Sequence, residues 1–193
     1  MIVAIVGMAG SGKTTVADFL RKDGWGYIRL GQLTLDIIKD KGLEPTEQNE
    51  KPIRESLRKE HGMAAYAILN FPKIDELLKS RDVIVDGLYS WEEYLEFEKR
   101  YKQDFTTLAI YASPKTRYQR LSKRSFKLET DQDMRFRPSP PQDTKKRDEA
   151  ELMNLNKSGP IAMADYTIIN ESTIENLKNQ VDIFIDQVKN AKR

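Results

Sequence analysis

The sequence predicts an α/β fold in which a five-stranded parallel sheet is flanked by helices. Short apolar runs alternate with segments of helical periodicity, which is typical of β-α-β units. The runs Ile2–Val6 and Val83–Val85 are apolar throughout, as expected for central strands buried on both faces. With right-handed crossovers, we expect the third strand beside the first. The five predicted strands are Ile2–Val6, Tyr27–Leu30, Val83–Asp86, Leu108–Ala112 and Tyr166–Ile169.

Two helices are clear from the spacing of their residues. A helical pattern over Thr14–Lys22 directly follows the first strand and its turn. In the last segment, apolar residues recur at helical spacing with polar residues between them, and Thr173 or Ser172 can cap the helix. These apolar residues are Ile174, Leu177, Val181, Phe184, Ile185 and Val188.

The first strand runs into a phosphate-binding motif. Residues 7–14 read Gly-Met-Ala-Gly-Ser-Gly-Lys-Thr, which is the G-x-x-x-x-G-K-[ST] pattern between a buried strand and a helix. Its three glycines allow a tight turn whose N–H groups cradle phosphate at a helix N-terminus. We expect Lys13 to reach the β- and γ-phosphates and the Thr14 hydroxyl to hold Mg²⁺. The alternative is an ordinary Gly-rich turn. The motif predicts a three-layer P-loop NTPase fold in which Lys13 faces solvent before nucleotide binds.

The third strand ends in a carboxylate, Asp86, followed by Gly87. At the carboxyl edge of a parallel sheet this side chain lies near the phosphate loop. There it can hold Mg²⁺ through water or polarise an acceptor. The alternative is a turn residue or helix cap, but the phosphate loop favours the functional interpretation.

Two segments interrupt the alternation of strands and helices. Residues 33–80 are rich in helix formers and carry no strand signal, so they predict an all-helical insert. Residues 125–146 are polar, and the sequence Arg-Pro-Ser-Pro-Pro at 137–141 cannot lie inside a helix. This second segment predicts a mobile loop or lid. The chain is thus expected to be one domain, with its core in 1–32, 81–124 and 147–193.

Arginines cluster before and within the predicted lid. Three of them follow Ser113-Pro114 at helical spacing and share one face. Arginines carried by a closing lid stabilise a transferring phosphoryl group and exclude water, whereas the alternative is a solvated charged face. We expect at least two of the cluster to contact phosphate and assign catalytic roles to Arg120, Arg124 and Arg137. The cluster comprises Arg117, Arg120, Arg124, Arg135, Arg137 and Arg147.

A second group of arginines belongs to the acceptor side of the predicted site. Arg54 and Arg58 share a face of the helical insert, and Arg29 ends the second strand. Such a cluster suits an acceptor phosphate or carboxylate, whereas charge pairing along the helix surface is the alternative. Tyr89 could line the same pocket. His61 precedes a glycine and is interpreted as a residue at a helix C-terminus.

Composition excludes several classes of function. The sequence has no cysteine, so it offers neither disulfides nor thiolate metal ligands, which fits a reducing cytoplasm. No apolar run reaches the ~18 residues of a membrane helix, and no signal peptide is expected. Net charge is only +2, yet residues 115–147 contain eleven basic and four acidic residues. This block suggests a polyanionic ligand such as a nucleoside triphosphate, with nucleic acid as the less favoured partner.

Over nearly its whole length the chain resembles the adenylate-kinase-like P-loop kinases, which phosphorylate nucleotides and other small molecules. The phosphate loop, Leu30-Gly31-Gln32-Leu33 at the start of the insert, Val85-Asp86-Gly87, and Ser113-Pro114 with its arginines each match that family. Ala-Asp-Tyr-Thr-Ile-Ile-Asn at 164–170 resembles the ending of dephospho-coenzyme A kinases. Overall the chain is most similar to an archaeal-type adenylate-kinase-related group, whose Arg-Asp-x-x-Glu element is matched at 147–151.

The resemblance implies ATP and Mg²⁺ as cofactors and assigns site residues. Lys13, Asp86, Arg120, Arg124 and Arg137 would be catalytic, and Thr14 and Asp86 would hold the metal. ATP-binding residues would be Gly7, Met8, Ala9, Gly10, Ser11, Gly12, Lys13, Thr14, Thr15, Arg120 and Asn170. Acceptor-binding residues would be Arg29, Gly31, Arg54, Arg58, Tyr89 and Arg147.

Two departures from the family bear on the acceptor. Dephospho-coenzyme A kinases carry Asp-x-Asp after the second strand, where this chain reads Ile28-Arg29-Leu30. A hydroxyl acceptor profits from a general base, whereas a phosphate acceptor does not need one. The nearest relatives also have Arg where this chain has Tyr89.

These observations favour a cytoplasmic kinase, monomeric or homodimeric, that transfers the γ-phosphate of ATP to a nucleoside monophosphate. A dephospho-coenzyme A kinase is the alternative within this class. A nucleotide-dependent ATPase or switch acting on a protein or RNA partner is the alternative from another class. The sequence has no Asn-Lys-x-Asp guanine signature, which argues against a GTPase.

Overall fold

The computed structural model describes residues 1–124 and 140–191. Its strands are β1 (Ile2–Val6), β2 (Gly26–Arg29), β3 (Val83–Asp86), β4 (Phe105–Tyr111) and β5 (Tyr166–Ile169). Its helices are α1 (Lys13–Lys22), α2 (Gln32–Asp40), α3 (Glu47–His61), α4 (Ala65–Leu78), α5 (Trp91–Tyr101), α6 (Pro114–Ser122), α7 (Pro141–Leu155), α8 (Ser158–Ala162) and α9 (Ile174–Ala191).

The five strands form one sheet in the order β2-β3-β1-β4-β5, and every neighbouring pair is parallel. The predicted five-stranded parallel sheet is therefore confirmed, as is the position of β3 beside β1. The register pairs Ile5 of β1 with Asp86 of β3. Since β1 runs directly into the phosphate loop, this register brings the Asp86 carboxylate to the same edge of the sheet as the loop.

Each face of the sheet has its own core because alternate residues of a strand point to opposite faces. Along β1, Ile2, Ala4 and Val6 pack with α4 and α5. Val3 and Ile5 pack with α1 and α9. All five are almost completely buried, as their apolar sequence predicts. The sheet is thus a rigid platform, and its carboxyl edge carries the site.

The segment predicted as a helical insert contains α3 and α4 and nearly all of α2. Buried Thr34 of α2 and Tyr66 of α4 hydrogen-bond through their hydroxyls at 2.5 Å. Asn70 of α4 donates to the carbonyl of Leu30 at 3.4 Å, which ties the insert to the end of β2. His61 ends α3 before Gly62, as expected from sequence.

Several element boundaries differ from the sequence predictions, and β2 spans Gly26–Arg29 rather than Tyr27–Leu30. β4 begins at Phe105 because Thr106 and Thr107 are buried and the Thr107 hydroxyl donates to Asp165 at 2.8 Å. Residues Pro141–Lys146, predicted as loop, form the first turns of α7, where proline at the first helical position loses no hydrogen bond. The rest of the predicted lid lies outside the described residues. At the start of α9, Thr173 accepts from the Asn176 N–H at 3.2 Å and provides the cap.

Candidate active site

The phosphate loop is held in a conformation that only glycine adopts at several positions. Gly7, Gly10 and Gly12 have φ of 140°, 80° and 110°. A Cβ on Gly7 would lie 2.4 Å from the carbonyl oxygen of Ile110, and one on Gly12 would lie 2.2 Å from Asn170 Nδ2. The carboxyl ends of β4 and β5 therefore pack closely against the phosphate loop.

Asn170, predicted to bind ATP, supports the loop through its side chain. Its Nδ2 donates to the carbonyl of Ser11 at 2.8 Å, and its backbone N–H donates to the carbonyl of Tyr111 at 2.7 Å. The residue is buried. Its amide nitrogen thus fixes the shape of the loop before nucleotide arrives.

Lys13 was expected to face solvent, and that expectation is wrong. Its Nζ donates to the carbonyl oxygens of Gly7 and Met8 at 2.9 and 3.0 Å. Burial and, to a lesser degree, the charge of Lys157 lower the pKa of Lys13 to about 7, while Asp86 opposes the shift. Carbonyl oxygens of the phosphate loop itself therefore hold the ammonium. Bound phosphates would take over these hydrogen bonds.

Asp86 ends β3 and is 6% exposed. The Tyr27 hydroxyl of β2 donates to its Oδ2 at 3.1 Å. The described part of the chain holds no group of three His, Cys, Asp or Glu side chains that could bind a metal. Mg²⁺ in nucleotide sites needs only one or two protein oxygens, with phosphate and water completing its shell. The Asp86 carboxylate and the Thr14 hydroxyl, in the first turn of α1, fit that requirement.

The arginines of α6 divide into two kinds. Arg117 is 4% exposed and is engaged by protein atoms: Nε donates to Ala112 O at 3.1 Å and Nη1 to Ala9 O at 3.0 Å. Its Nη2 lies 2.6 Å from Asp148 Oδ2. Arg117 is therefore a structural brace of the phosphate loop.

Arg120 has a buried Nη1 with no hydrogen-bond partner among the described residues, as expected for a donor that awaits an anion. Arg124 follows α6 and is partly buried. Arg135 and Arg137 lie outside the described residues.

A cleft of about 200 Å³ opens at the end of β2, between α2 and α4. Its polar wall is a chain of hydrogen bonds in which Arg29 Nη1 donates to Gln32 Oε1 and Gln32 Nε2 donates to Asp36 Oδ1, both at 3.2 Å. Lys73 adds a second cation. The cleft is lined by Tyr27, Ile28, Arg29, Gln32, Leu33, Asp36, Asn70 and Lys73.

The remaining acceptor residues predicted from sequence are dispersed. Gly31 precedes α2, and a Cβ there would meet open space. Arg54 is paired on its own helix with Glu47 at 2.5 Å and Glu50 at 3.3 Å, which agrees with the alternative of surface charge pairing. The Arg58 guanidinium lies 5.5 Å from the Tyr66 ring centroid, and its Nε is buried with no partner in the described residues.

Tyr89 lies just beyond Asp86, against α8 rather than in the β2 cleft. Its hydroxyl is 3.4 Å from the position of a Cβ on Gly87, and its ring centroid is 4.3 Å from Lys157 Nζ. Burial raises the pKa of Tyr89 to about 12, so the phenol stays protonated. Arg147 of α7 donates from Nε to Glu151 Oε1 at 2.8 Å.

Sequence reasoning missed Lys157, Gln32, Asp36 and Lys73. Lys157 is 1% exposed and donates to Glu151. A single lysine between two helices is usually exposed to solvent, so no sequence pattern marked Lys157 as a site residue. Gln32, Asp36 and Lys73 become neighbours only when α2 and α4 pack together. The Arg-Asp-x-x-Glu element was the one available signal for the α7 partners.

No helix in the described ranges has both the length and the apolar content needed to cross a membrane.

Comparisons with known proteins agree with this architecture. Residues 3–154 match the AAA domain family. A UPF0200 protein from Pyrococcus furiosus is 34% identical over 194 residues, covering 100% of both chains. A shikimate kinase from Bacteroides thetaiotaomicron shares the fold with a TM-score of 0.59 at 16% identity, over 98% of each chain. A gluconokinase from Sinorhizobium meliloti matches with a TM-score of 0.50 at 13% identity, over 96% of this chain and 95% of that one. The chain therefore has a P-loop kinase-like fold, and it belongs to the UPF0200 family and to the AAA domain family.

Proposed function

We propose that the protein is an ATP- and Mg²⁺-dependent phosphotransferase acting on a small acceptor. The observation that carries the proposal is the hydrogen bond from Tyr27 to Asp86. Tyr27 also lines the cleft at the end of β2, so this contact joins the cleft to the strand end beside the phosphate loop. The phosphate loop, which would bind the phosphoryl donor, and the cleft, which would bind the acceptor, then lie at one edge of the sheet, as phosphoryl transfer requires.

A second ligand cleft favours a kinase over an ATPase or switch. An ATPase needs only nucleotide, metal and a positioned water. Here a polar cleft with two cations, Arg29 and Lys73, adjoins the Asp86 end of the sheet. Shikimate kinase and gluconokinase, which share the fold, are named as kinases of small molecules, and this likeness supports the same general chemistry.

For the acceptor we propose a nucleoside monophosphate. Arg29 and Lys73 make the cleft suited to an anionic acceptor. The Asp-x-Asp of dephospho-coenzyme A kinases has no counterpart in Ile28-Arg29-Leu30, and the carboxylate that does line the cleft, Asp36, already accepts a hydrogen bond from Gln32. An ionised phosphate oxygen can attack the γ-phosphorus directly, forming a P–O bond as the bond to the β-phosphate oxygen breaks and ADP leaves. Dephospho-coenzyme A is the alternative acceptor; its hydroxyl proton would have to pass to Asp86.

In this mechanism the residues of the chain bind and orient the phosphates of ATP and surround the phosphoryl group that is transferred. The N–H groups of residues 7–14 and Lys13 hold the β- and γ-phosphates, while Asn170 and Arg117 keep the loop in shape. Asp86 and Thr14 hold Mg²⁺, which neutralises developing phosphate charge when bound. Arg120, whose buried Nη1 has no partner among the described residues, would add positive charge beside the phosphoryl group. We assign the same role to Arg124, which follows α6, and to Arg137 of the predicted lid, which lies outside the described residues.

The proposal is tested by ADP release from Mg·ATP against a panel of nucleoside monophosphates and dephospho-coenzyme A. A kinase forms ADP and a phosphorylated acceptor in equal amounts, and only when the acceptor is present. Release of ADP and inorganic phosphate without an acceptor would instead identify an ATPase. Phosphorylation of dephospho-coenzyme A alone would overturn the monophosphate assignment. Lys13→Ala serves as the blank, because contaminating kinases are unaffected by it.

A further inference from the structure

Lys157 is a buried lysine whose surroundings the proposed chemistry has not yet used. Its side chain is 2% exposed, its Nζ donates to Glu151, and it lies 4.3 Å from the ring centroid of Tyr89. Taking an ammonium out of water costs several kcal/mol unless it is paired. A buried lysine without a role for its charge would lower the stability of the protein at this position. We therefore expect the charge of Lys157 to have a role.

Glu151 connects this lysine to a cation that solvent can reach. The carboxylate accepts from Lys157 at Oε2 and from Arg147 Nε at Oε1. The Arg147 side chain is 55% exposed, and no hydrogen bond among the described residues uses its Nη1 or Nη2. Glu151 therefore holds one edge of the guanidinium and leaves the other edge available to an anion, the geometry in which arginine recognises phosphate.

The location of this group is next to the transfer site. Tyr89 separates Lys157 from the Gly87 turn that follows Asp86. The charge of Lys157 also acts on Lys13 of the phosphate loop. Three basic side chains, Arg147, Lys157 and Lys13, share this region with the carboxylates Glu151 and Asp86 and with Asp148, which is paired with Arg117. The remaining edge of the Arg147 guanidinium is the part of this group that is open to an incoming phosphate.

We infer that Arg147, Glu151, Lys157 and Tyr89 form a preassembled subsite for the phosphate of an anionic acceptor, in which Arg147 makes the contact and Lys157 is the positioning residue. Lys157 fixes Glu151, and Glu151 fixes Arg147. Lys157 also packs its ammonium on the Tyr89 ring and so holds that ring beside Asp86. This inference rests on the proposed function, because it names the acceptor class as a phosphate monoester.

Inorganic phosphate is the probe, used on protein whose phosphate loop is saturated with Mg·ADP. Stabilisation by phosphate is followed as the rise in melting temperature, from which an apparent dissociation constant is obtained. Lys157→Met should weaken phosphate binding about tenfold, as expected for loss of a charge-assisted contact. Lys145→Met is the matched control, since Lys145 lies on α7, is 68% exposed and has its Nζ 3.9 Å from Glu149 Oε1. It removes the same charge and should leave the constant within twofold.

Kinetics provide a readout that a purely structural lysine would not move. With an acceptor that the wild-type protein phosphorylates, Lys157→Met should raise KM for the acceptor about tenfold and leave KM for ATP within about twofold. Lys157→Arg should recover part of the loss because it keeps the charge next to Glu151. Equal increases in both KM values would overturn the positioning role.

The outcomes separate this inference from the proposed function. If no monophosphate is phosphorylated but Lys157→Met still weakens phosphate binding, the kinase assignment fails and the subsite stands. If Lys157→Met retains the response, the subsite is overturned whatever the enzyme does. Should Lys157→Met not fold, half-exposed Arg147→Gln gives the decision, because an unchanged response in that variant also overturns the subsite.

Discussion

Arg117 of α6 and Asp148 of α7 form a buried ion pair, with 2.6 Å between Nη2 and Oδ2. The same guanidinium donates to the carbonyl of Ala9 in the phosphate loop at 3.0 Å. The Tyr118 hydroxyl also donates to Asp148 Oδ2, at 3.2 Å. One arginine therefore connects the helix that follows the predicted lid to the loop that would bind ATP, so the positions of α7 and of the loop are coupled.

Asp148→Asn should destabilise the protein and weaken ATP binding together. Breaking a buried pair leaves an uncompensated charge, which costs about 3–5 kcal/mol. Urea unfolding measures this loss, and nucleotide titration measures the effect on the loop. Asp182→Asn is the control, because the Lys178–Asp182 pair is about half exposed on both sides and should contribute less than about 1 kcal/mol. Equal losses in the two variants would contradict the coupling.

Gly12→Ala should abolish nucleotide binding, whereas Gly24→Ala should not. Both glycines have positive φ, 110° and 88°, so both substitutions strain the backbone by roughly 1–2 kcal/mol. Only at Gly12 does the new Cβ meet an atom, Asn170 Nδ2 at 2.2 Å; at Gly24 nothing lies within 4 Å. Because both variants carry the backbone strain, the difference in nucleotide affinity between them measures the effect of close packing at Gly12. Retained affinity in Gly12→Ala would show that the loop can rearrange.

The sequence-based predictions and the structure differ where contacts join residues that are far apart in the chain. Short apolar strands and the phosphate motif depend on local patterns, and the sequence predicted β1, β3 and their adjacency. Arg117 was grouped with Arg120 and Arg124 as a candidate phosphate contact, because a shared helical face cannot show that Asp148 occupies the Arg117 guanidinium. Lys157 gave no signal for the same reason, since its burial depends on the packing of α7, α8 and Tyr89.

Glu93 should make the protein less stable as pH rises from about 4.5 to about 7. Burial raises its pKa from 4.5 to about 7, against the hydrogen bonds from the N–H groups of Tyr89 and Ser90. Between these values the folded state holds a proton that the unfolded state has lost, so the contribution of Glu93 to stability is greatest below pH 4.5 and declines up to about pH 7. The contribution is on the order of 3 kcal/mol.

Glu93→Gln is the test, because its side-chain oxygen can still accept from Ser90 N–H and Tyr89 N–H. The variant should show a flatter stability profile between pH 4.5 and 7 than wild type in urea unfolding. Parallel profiles would mean that the carboxyl titrates normally. Glu76→Gln, at an exposed position that pairs only with Lys79, should leave the profile unchanged.

Lys13→Ala should keep the fold and lose nucleotide turnover. Lys13 donates to the carbonyls of Gly7 and Met8, and its burial is unfavourable to the charged form. Removing it should therefore leave the free energy of unfolding within about 1 kcal/mol. Circular dichroism checks the fold and ADP release checks activity. Unchanged ATP consumption would refute the role of the loop lysine.

Asp86→Asn separates the two candidate acceptors. If the acceptor is a phosphate, Asp86 serves Mg²⁺, and the variant should recover part of its lost rate at high Mg²⁺ because an amide oxygen still binds the metal's water shell. If the acceptor is a hydroxyl, the variant loses a general base, which supplies roughly 10²–10⁴-fold, and magnesium cannot restore it. Tyr27→Phe is the companion variant, since it removes the 3.1 Å hydrogen bond to Asp86 and keeps the carboxylate. Its magnesium dependence should stay close to that of wild type. Steady-state rates titrated with Mg²⁺ distinguish the cases, and a magnesium-independent loss in Asp86→Asn would count against the monophosphate assignment.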